Sequence, residues 1–254
     1  MMRSPFAQKR HSQPAQEFAS AGAVVVRLKG GDPLIFGRGG EECDYLRDRG
    51  VVVDVSPGIT AASGIAAELG VPLTHRGVAA SVRFLTGHSR EGGEEASEVD
   101  DTSFSAADAN CTLVVYMGLG TLSSLTAALL GAGLSPRTPA LAVERGTTAV
   151  QRRVFSRLAG LADATRATAL RSPTLVVVGQ CVALSPLWPW SEEAQGEDRA
   201  FVLQTGSPHA QQQEAQRVTL PGGKQITLPR AALALRAEAP AAAQLTLMRD
   251  DARV

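Results

Sequence analysis

A glycine-rich loop between a predicted strand and a predicted helix is the feature that most constrains this chain. An apolar run at residues 24–28 is typical of a buried strand, and residues 41–49 have a helical pattern with two carboxylates in the first turn, where the helix dipole favours them. The loop between them, residues 30–40, carries a carboxylate, an aromatic ring and a cation among its glycines. Glycine lets the backbone approach a ligand closely, and ligands of open α/β sheets bind at the carboxyl ends of strands. The sequence therefore predicts a ligand-binding loop here rather than a plain strand-to-helix turn.

Predicted strands and helices continue to alternate along the chain. This alternation indicates the α/β class, with mostly parallel strand pairing. The predicted strands are 24–28, 51–55, 82–86, 112–117, 140–143, 151–157 and 174–179, and the predicted helices are 41–49, 60–69, 122–131 and 158–164.

Composition excludes several classes of protein. The formal net charge of zero gives no global attraction to nucleic acid, and no apolar run reaches the roughly 18 residues that a membrane helix needs. Cys43, Cys111 and Cys181 lie too far apart for a metal cluster or a disulfide framework, so we expect no metal site and a reducing compartment. The expected compartment is the cytoplasm, with a plastid as the alternative. Residues 1–15 are basic without acids, which is compatible with a transit peptide.

The loop also carries a family resemblance. The sequence VVRLKGGDPLIFGRGGEE at residues 25–42 resembles the corresponding loop of the uroporphyrinogen-III C-methyltransferases, within the tetrapyrrole methylases. The resemblance continues in order, with family-like spacing, over roughly residues 22–190. Its further blocks are PGITAASG at 57–64, GVPLTHR at 70–76, TGH at 86–88, YMGL at 116–119, VERGTT at 143–148, QR at 151–152 and PTLVVVG at 173–179.

This resemblance implies two α/β domains with the active site in the cleft between them. By the same resemblance, the first domain covers residues 1–78 and the second covers residues 79–190, with an acidic insertion at 89–110. Residues 191–254 are rich in Ala, Gln and Glu, and we expect them to form a largely disordered tail outside the fold.

The first domain is expected to be incomplete. The family begins with a strand, a G-P-G-D-P-type loop and a second strand ending in an aspartate, and this chain has no counterpart of them. The sequence is therefore either a fragment or a degenerate relative. A missing general base typically costs about 10²–10⁴ in rate, so the resemblance predicts weak or absent turnover.

The family transfers the methyl group of S-adenosyl-L-methionine, as co-substrate, to ring carbons of uroporphyrinogen III. The product, precorrin-2, leads to sirohaem or cobalamin-type cofactors. Carried over residue by residue, the resemblance assigns cofactor contacts to Gly30, Gly31, Asp32, Ile35, Thr60, Ala61, Met117 and Gly146.

The substrate has eight carboxylates, so cationic side chains are expected in the cleft. We expect substrate contacts from Phe36, Arg38, Arg76 and Tyr116. Lys9 matches the lysine of the family's proposed acid/base pair, although Gln8 replaces the glycine before it. His75 and His88 are alternative bases, but a lone histidine in a turn is more often a hydrogen-bonded structural residue.

Two other functions stay open at this point. One is a tetrapyrrole methylase acting on a later precorrin, although the complete loop favours the first assignment. The other is a binding-only remnant that holds cofactor or tetrapyrrole without turnover. The resemblance also implies a homodimer, and no nucleic-acid or membrane partner is expected.

Overall fold

A six-stranded mixed sheet forms the centre of the computed structural model, which describes residues 5–87, 108–190 and 201–206 and the strands at 216–219 and 225–228. The strands stand in the order β1-β2-β5-β3-β4-β6. Their bounds are β1 Ser81–Thr86, β2 Cys111–Tyr116, β3 Pro139–Glu144, β4 Arg152–Arg157, β5 Thr174–Val178 and β6 Phe201–Thr205.

The expectation of mostly parallel pairing is wrong. Only β1 and β2 pair in parallel, whereas β2–β5, β3–β5, β3–β4 and β4–β6 are antiparallel. The short segment 145–151 joins β3 to β4 directly, and so short a link can connect only antiparallel neighbours because a parallel pair needs a longer crossover. Strand–helix alternation in the sequence does not carry this information.

The sheet is covered on both faces, which explains why its strands are continuous apolar runs. The helices are α1 Pro5–Ser20, α2 Gly39–Arg47, α3 Ala61–Leu69, α4 Leu122–Gly131 and α5 Leu158–Ala167, and a short 3₁₀ helix spans Gln180–Leu184. Along β2, Leu113 and Val115 point into the core that contains helices α4 and α5. Val114, between them, points to the opposite core, which contains helix α3. None of the helices in the described part of the chain is both long and apolar enough to span a bilayer.

The predicted strands at 24–28 and 51–55 do not form as strands. Neither segment is assigned to a strand or to any pairing within the described residues. Most of their apolar residues are exposed, with Val24 96% exposed and Val52 89% exposed. A strand is stable only when a neighbouring strand satisfies its backbone groups, and no such neighbour is present among the described residues.

The expectation that all of residues 191–254 lie outside the fold is also wrong in one part. Strand β6 pairs with β4 from Arg152↔Thr205 to Ser156↔Phe201. Its end also holds the buried Arg153, whose Nε donates to Gln204 Oε1 at 2.7 Å and whose Nη1 donates to the Gly206 carbonyl at 2.7 Å. Burial lowers the pKa of Arg153, while the charge of Glu68 acts in the opposite direction.

The chain divides into two compact units, residues 1–206 and residues 207–254. Within the second unit, β7 Gln216–Thr219 and β8 Gln225–Leu228 form an antiparallel pair. The domain boundary near residue 78 stays a prediction, and most of the expected acidic insertion, residues 88–107, lies outside the described residues.

We predict that a chain ending at Trp190 melts at a lower temperature than a chain ending at Gly206. The shorter chain loses the ladder between β4 and β6 and leaves the Arg153 guanidinium without its two acceptors. Hydrogen bonds to a charged group contribute about 1.5–3 kcal/mol, so we expect the melting temperature to fall by at least about 5 °C in differential scanning calorimetry. The full chain serves as the control and should melt with the chain ending at Gly206. Equal melting of the two truncated chains would show that β6 does not stabilise the sheet.

Candidate active site

Two loops pack backbone against backbone beside the sheet. The first is the glycine-rich loop, residues 30–40, and the second is residues 57–60, which lead into α3. A Cβ added at Gly58 would overlap the carbonyl oxygen of Gly31, and a Cβ at Gly31 would lie 3.2 Å from the Ile59 carbonyl oxygen. Gly31 also has a φ of +86°, which side chains rarely adopt. Both glycines are therefore required by the contact between the two loops.

The Asp32 carboxylate joins the two loops. Its Oδ1 accepts a hydrogen bond from the Leu34 backbone N–H at 2.8 Å, and its Oδ2 accepts one from the Gly58 N–H at 3.2 Å. Hydrogen bonds to a carboxylate are stronger than those between neutral groups. In the described structure, Asp32 is therefore a brace between the two loops, and its direct contact with the cofactor stays a prediction.

The rest of the glycine-rich loop has an unusual backbone. Phe36 and Arg38 adopt positive φ angles of 52° and 58°. Such conformations cost energy in residues other than glycine and are concentrated at ligand-binding sites. Arg38 lies at the start of α2 and pairs with Glu41, Nε to Oε1 at 3.4 Å, and both side chains are exposed. The Arg38 guanidinium therefore remains within reach of a ligand from solvent.

The carboxyl ends of β1, β2 and β3 lie at one edge of the sheet. β2 and β3 run in the same direction because each is antiparallel to β5, and β1 is parallel to β2. Met117 follows β2 and Gly146 follows β3, so both residues are at this edge. Met117 is 48% exposed with a φ of 54°.

Helix α3 brings the second loop to the same edge. Its apolar face is buried against the sheet, and a Cβ at Gly146 would overlap the Ile65 side chain of this helix. At the start of the helix, the hydroxyls of Thr60 and Tyr116 are 2.6 Å apart. Tyr116 also contacts the first loop, with 4.8 Å between its ring centroid and that of Phe36.

A buried carboxylate fixes the turn that carries Gly146. Glu144, at the end of β3, is 4% exposed. Its Oε2 accepts from Arg152 Nη1 at 3.1 Å and from the Arg171 backbone N–H at 3.0 Å. A buried charge with both an ionic partner and a hydrogen bond is tolerated, and removing one partner would be costly.

The structure thus brings together most of the residues that the sequence predicts for the cofactor. Contacts connect Gly31, Asp32, Thr60 and Phe36 with the edge of the sheet through Tyr116, and Ile35 and Gly30 lie in the same loop. Ala61 is the first residue of α3 and is exposed. Their roles as ligand contacts stay predictions.

For the other residues that the sequence predicts for the site, no hydrogen bond or ion pair with the two loops is found among the described residues. Arg76 is exposed in the turn before β1, and its carbonyl oxygen lies 3.0 Å from His75 Nδ1, so His75 has a local structural partner. Lys9 lies in α1, but its side chain is outside the described residues, as is His88. All three cysteines are buried, and no group of metal-binding residues occurs in the part of the chain that the structure describes.

Two cations lie just before the glycine-rich loop and share one partner. Lys29 Nζ lies 3.0 Å from Glu42 Oε1, and Arg27 Nη2 lies 3.4 Å from the same atom. Burial acts to raise the pKa of Glu42, but the hydrogen bonds from Lys29 and Arg27 outweigh it, so the pKa is lowered. The two-residue spacing of the cations puts them on one side of an extended segment, which is the signal that they share a partner. Both cations therefore have a structural role in joining the start of the loop to α2.

Comparison with known proteins identifies relatives of this chain. The family model described as tetrapyrrole (corrin/porphyrin) methylases matches residues 4–162. The S-adenosyl-L-methionine-dependent uroporphyrinogen III methyltransferase, chloroplastic, of Arabidopsis thaliana is 64% identical over 172 residues, which are 68% of this chain and 46% of that protein. Siroheme synthase 2 of Halorhodospira halophila is 46% identical over 185 residues, which are 73% of this chain and 36% of that protein. The chain thus spans less than half the length of these two relatives.

Solved structures give the same result. The uroporphyrin-III C-methyltransferase of Thermus thermophilus complexed with S-adenyl homocysteine has 40% sequence identity and a TM-score of 0.57. The alignment covers 70% of this chain and 75% of that one. A cobalt precorrin-4 methyltransferase has 22% identity and a TM-score of 0.60, which shows a shared fold. The expected α/β fold class, that of the tetrapyrrole methylases, is confirmed, and the division into two domains stays a prediction.

We predict that Glu42→Gln makes the stability of the protein less dependent on acidic pH. A carboxylate with a lowered pKa stabilises the fold fully above its ordinary value of 4.5, and this stabilisation is lost as the pH falls through the lower pKa of the folded state. Because Arg27 is half exposed, we expect only a few tenths to about 1 kcal/mol of difference near neutral pH. Urea denaturation from about pH 7 to about pH 3 measures the difference between variant and wild type, which should shrink toward acid.

Glu41→Gln is the matched control. Glu41 is the neighbouring carboxylate, but its side chain is 58% exposed and pairs only with the exposed Arg38 among the described contacts. A difference between Glu42→Gln and wild type that stays constant across this pH range would contradict the proposed ion pairing.

Proposed function

This chain belongs to the tetrapyrrole (corrin/porphyrin) methylase family, and we propose that it methylates ring carbons of uroporphyrinogen III with S-adenosyl-L-methionine to give precorrin-2. The product would serve sirohaem or cobalamin-type cofactors. The names of its relatives, a uroporphyrinogen III methyltransferase and siroheme synthases, support this substrate.

One structural observation carries the proposal. Two glycine loops, joined by Asp32, meet the carboxyl edge of the sheet, where β2 ends at Tyr116 and Met117. Carboxyl edges of strands are the usual ligand sites of α/β folds. The solved relative that is complexed with S-adenyl homocysteine has 40% sequence identity to this chain, which supports a related ligand for this chain.

The residues present suit the proposed co-substrate. Gly30 is exposed, and a Cβ added there would meet no other atom within 4 Å, so open space lies beside its backbone. We propose that the amides and carbonyls of Gly30 and Gly31 bind the polar parts of the co-substrate, together with Ile35, Thr60 and Ala61. Met117 would offer a polarizable side chain to the adenine, and the backbone of Gly146, at the same edge of the sheet, would contact the co-substrate as well. S-adenosyl-L-methionine supplies an already electrophilic methyl group, so the main task of these residues is to orient it.

The proposed substrate contacts lie on the solvent side of the same loops. The Phe36 ring is 40% exposed and can pack on a macrocycle. Arg38 is also exposed, and its guanidinium can pair with a substrate carboxylate. Arg76 is proposed as a further carboxylate partner on the grounds of its charge and exposure.

A second candidate function is binding without turnover. Beside the two loops, the Asp32 carboxylate accepts two backbone hydrogen bonds, and the Tyr116 hydroxyl bonds Thr60 and the Ala62 N–H, so both groups are already held by the protein. The segments at 24–28 and 51–55, which lead into the two loops, are unpaired within the described residues. Both observations favour a slow or inactive protein.

We extend the proposal to partners and location. The expected homodimer can be tested by light scattering after gel filtration. The Arabidopsis relative is named as chloroplastic, which supports the plastid as the compartment. Import of the complete gene product into isolated chloroplasts would test this location.

We predict that Asp32→Ala lowers the affinity for S-adenosylhomocysteine while the protein stays folded. The substitution removes the acceptors of the Leu34 and Gly58 N–H groups, so the two loops lose their brace. Loss of charge-assisted hydrogen bonds should weaken binding about ten- to a hundredfold in calorimetric titration. Asp163→Ala, which removes an exposed carboxylate on α5, is the control and should bind like wild type. Unchanged affinity in Asp32→Ala would contradict the role of this brace.

We predict that precorrin-2 forms from S-adenosyl-L-methionine and uroporphyrinogen III at a rate about 10²–10⁴-fold below that of the Thermus thermophilus enzyme, because the Asp32 carboxylate and the Tyr116 hydroxyl, which join the two loops, are already held by hydrogen bonds within the protein. Absorbance of precorrin-2 measures the rate under the same conditions for both proteins. Binding of S-adenosylhomocysteine without any product would favour the second candidate function. Equal rates would contradict the expected loss, and a Lys9→Ala variant would then test whether Lys9 supplies the proton transfer.

A further inference from the structure

Tyr116 contacts both the glycine-rich loop and the neighbouring strand β1. It is the last residue of β2 and is only partly exposed. Its ring centroid lies 4.8 Å from that of Phe36 in the glycine-rich loop and 6.0 Å from that of Phe84 in β1. Pairs of aromatic rings at such distances attract each other beyond their apolar burial.

The hydroxyl of Tyr116 has two partners where the second loop leads into α3. Its oxygen accepts a hydrogen bond from the Ala62 backbone N–H at 3.0 Å and lies 2.6 Å from Thr60 Oγ1. The first N–H groups of a helix lack partners within the helix, and Thr60 makes no side-chain capping bond to α3. The tyrosine hydroxyl from β2 therefore caps α3 in place of a local residue.

The backbone of Tyr116 is fixed as well. Its carbonyl oxygen accepts from the Gly87 N–H at 2.8 Å, just beyond β1. A single residue thus connects the sheet edge, the glycine-rich loop and the start of α3.

We propose that Tyr116 is a positioning residue that fixes Thr60 and Phe36 relative to each other. The surface proposed for the co-substrate, which includes Thr60, then keeps a fixed distance and orientation to the surface proposed for the tetrapyrrole, which includes Phe36. This inference rests on the proposed function. It assigns the Tyr116 hydroxyl to Thr60 and to the Ala62 backbone N–H, and the expected direct substrate contact of Tyr116 stays a separate prediction. The influence of Tyr116 on ligands passes through Thr60 on one side and Phe36 on the other.

The test compares Tyr116→Phe with wild type in calorimetric titration with S-adenosylhomocysteine, well below the melting temperature. The substitution keeps the ring and removes only the hydroxyl. We expect binding to weaken about three- to tenfold, because Thr60 and the first turn of α3 lose their fixed positions.

Thr165→Val is the matched control. Thr165 is buried in α5, and its Oγ1 donates to the Ala162 carbonyl at 2.9 Å, so this variant also loses one buried hydroxyl. α5 packs on the face of the sheet opposite to α3, and therefore this variant should lose stability without losing affinity. If Tyr116→Phe behaves like Thr165→Val, the role of Tyr116 is structural only and the inference is wrong.

A double-mutant cycle separates action through Thr60 from independent action. If Tyr116 acts through Thr60, then Tyr116→Phe combined with Thr60→Val should bind about as well as the weaker single variant. Additive losses in affinity would overturn the inference.

Hydrogen exchange gives a readout that needs no ligand. In Tyr116→Phe, the amides of Leu34, Gly58 and Ala62 should exchange faster than in wild type, while those of β3 and β5 should be unchanged. If wild type fails to bind S-adenosylhomocysteine, the proposed function fails, but this measurement still decides whether Tyr116 fixes the loops. Unchanged exchange at all three amides would overturn the inference.

Discussion

The position of β5 between β2 and β3 is the constraint on which the site depends. Because β5 is antiparallel to both neighbours, β2 and β3 run in the same direction and end at the same edge. Met117 and the turn with Gly146 are thereby placed at the same edge of the sheet, although they follow different strands. α3 is bound to the same sheet by its apolar face, so its first turn arrives at this edge too. Ordinary burial of apolar surface thus places the polar loops.

Charged side chains act differently on the two sides of the site. Glu144 is buried and has a guanidinium and a backbone N–H as partners, so it rigidly holds the turn after β3. Glu42 is bound to two cations, but Arg27 is half exposed and water screens this pair. Asp32 uses backbone N–H groups as partners, which fix geometry without a counter-charge. The turn after β3 should therefore be the stiffer wall, and the glycine-rich loop the more adaptable one.

The sequence predicts those parts of the fold whose signals are local. A helix is predicted at residues 122–131, and α4 spans Leu122–Gly131. The prediction is local because the apolar face lies within these residues and because Gly120 and Gly133 flank them. The runs of β2, β3 and β5 were recognisable because both faces are buried. β6 was missed, since a five-residue strand after a polar stretch is decided by Arg153 and β4, far away in the chain. The pair of Tyr116 with Thr60 was likewise out of reach, because 56 residues separate them. Motif resemblance found the loops, but it could not show that Asp32 bonds Gly58 instead of facing open solvent.

The difference between paired and unpaired segments explains why the apolar pattern wrongly predicts strands at residues 24–28 and 51–55. Their valines have high strand propensity, but propensity describes how well a side chain fits a sheet that already exists. Residues 112–116 are also rich in β-branched side chains, and they form β2 because β1 and β5 pair with them on both sides. Residues 24–28 have no such neighbours among the described residues, so the apolar side chains stay in water at Val24 and Leu28. The position of the glycine-rich loop consequently depends less on the segment before it than on contacts with residues later in the chain. Asp32 bonds Gly58, Lys29 pairs with Glu42, and Phe36 packs on Tyr116.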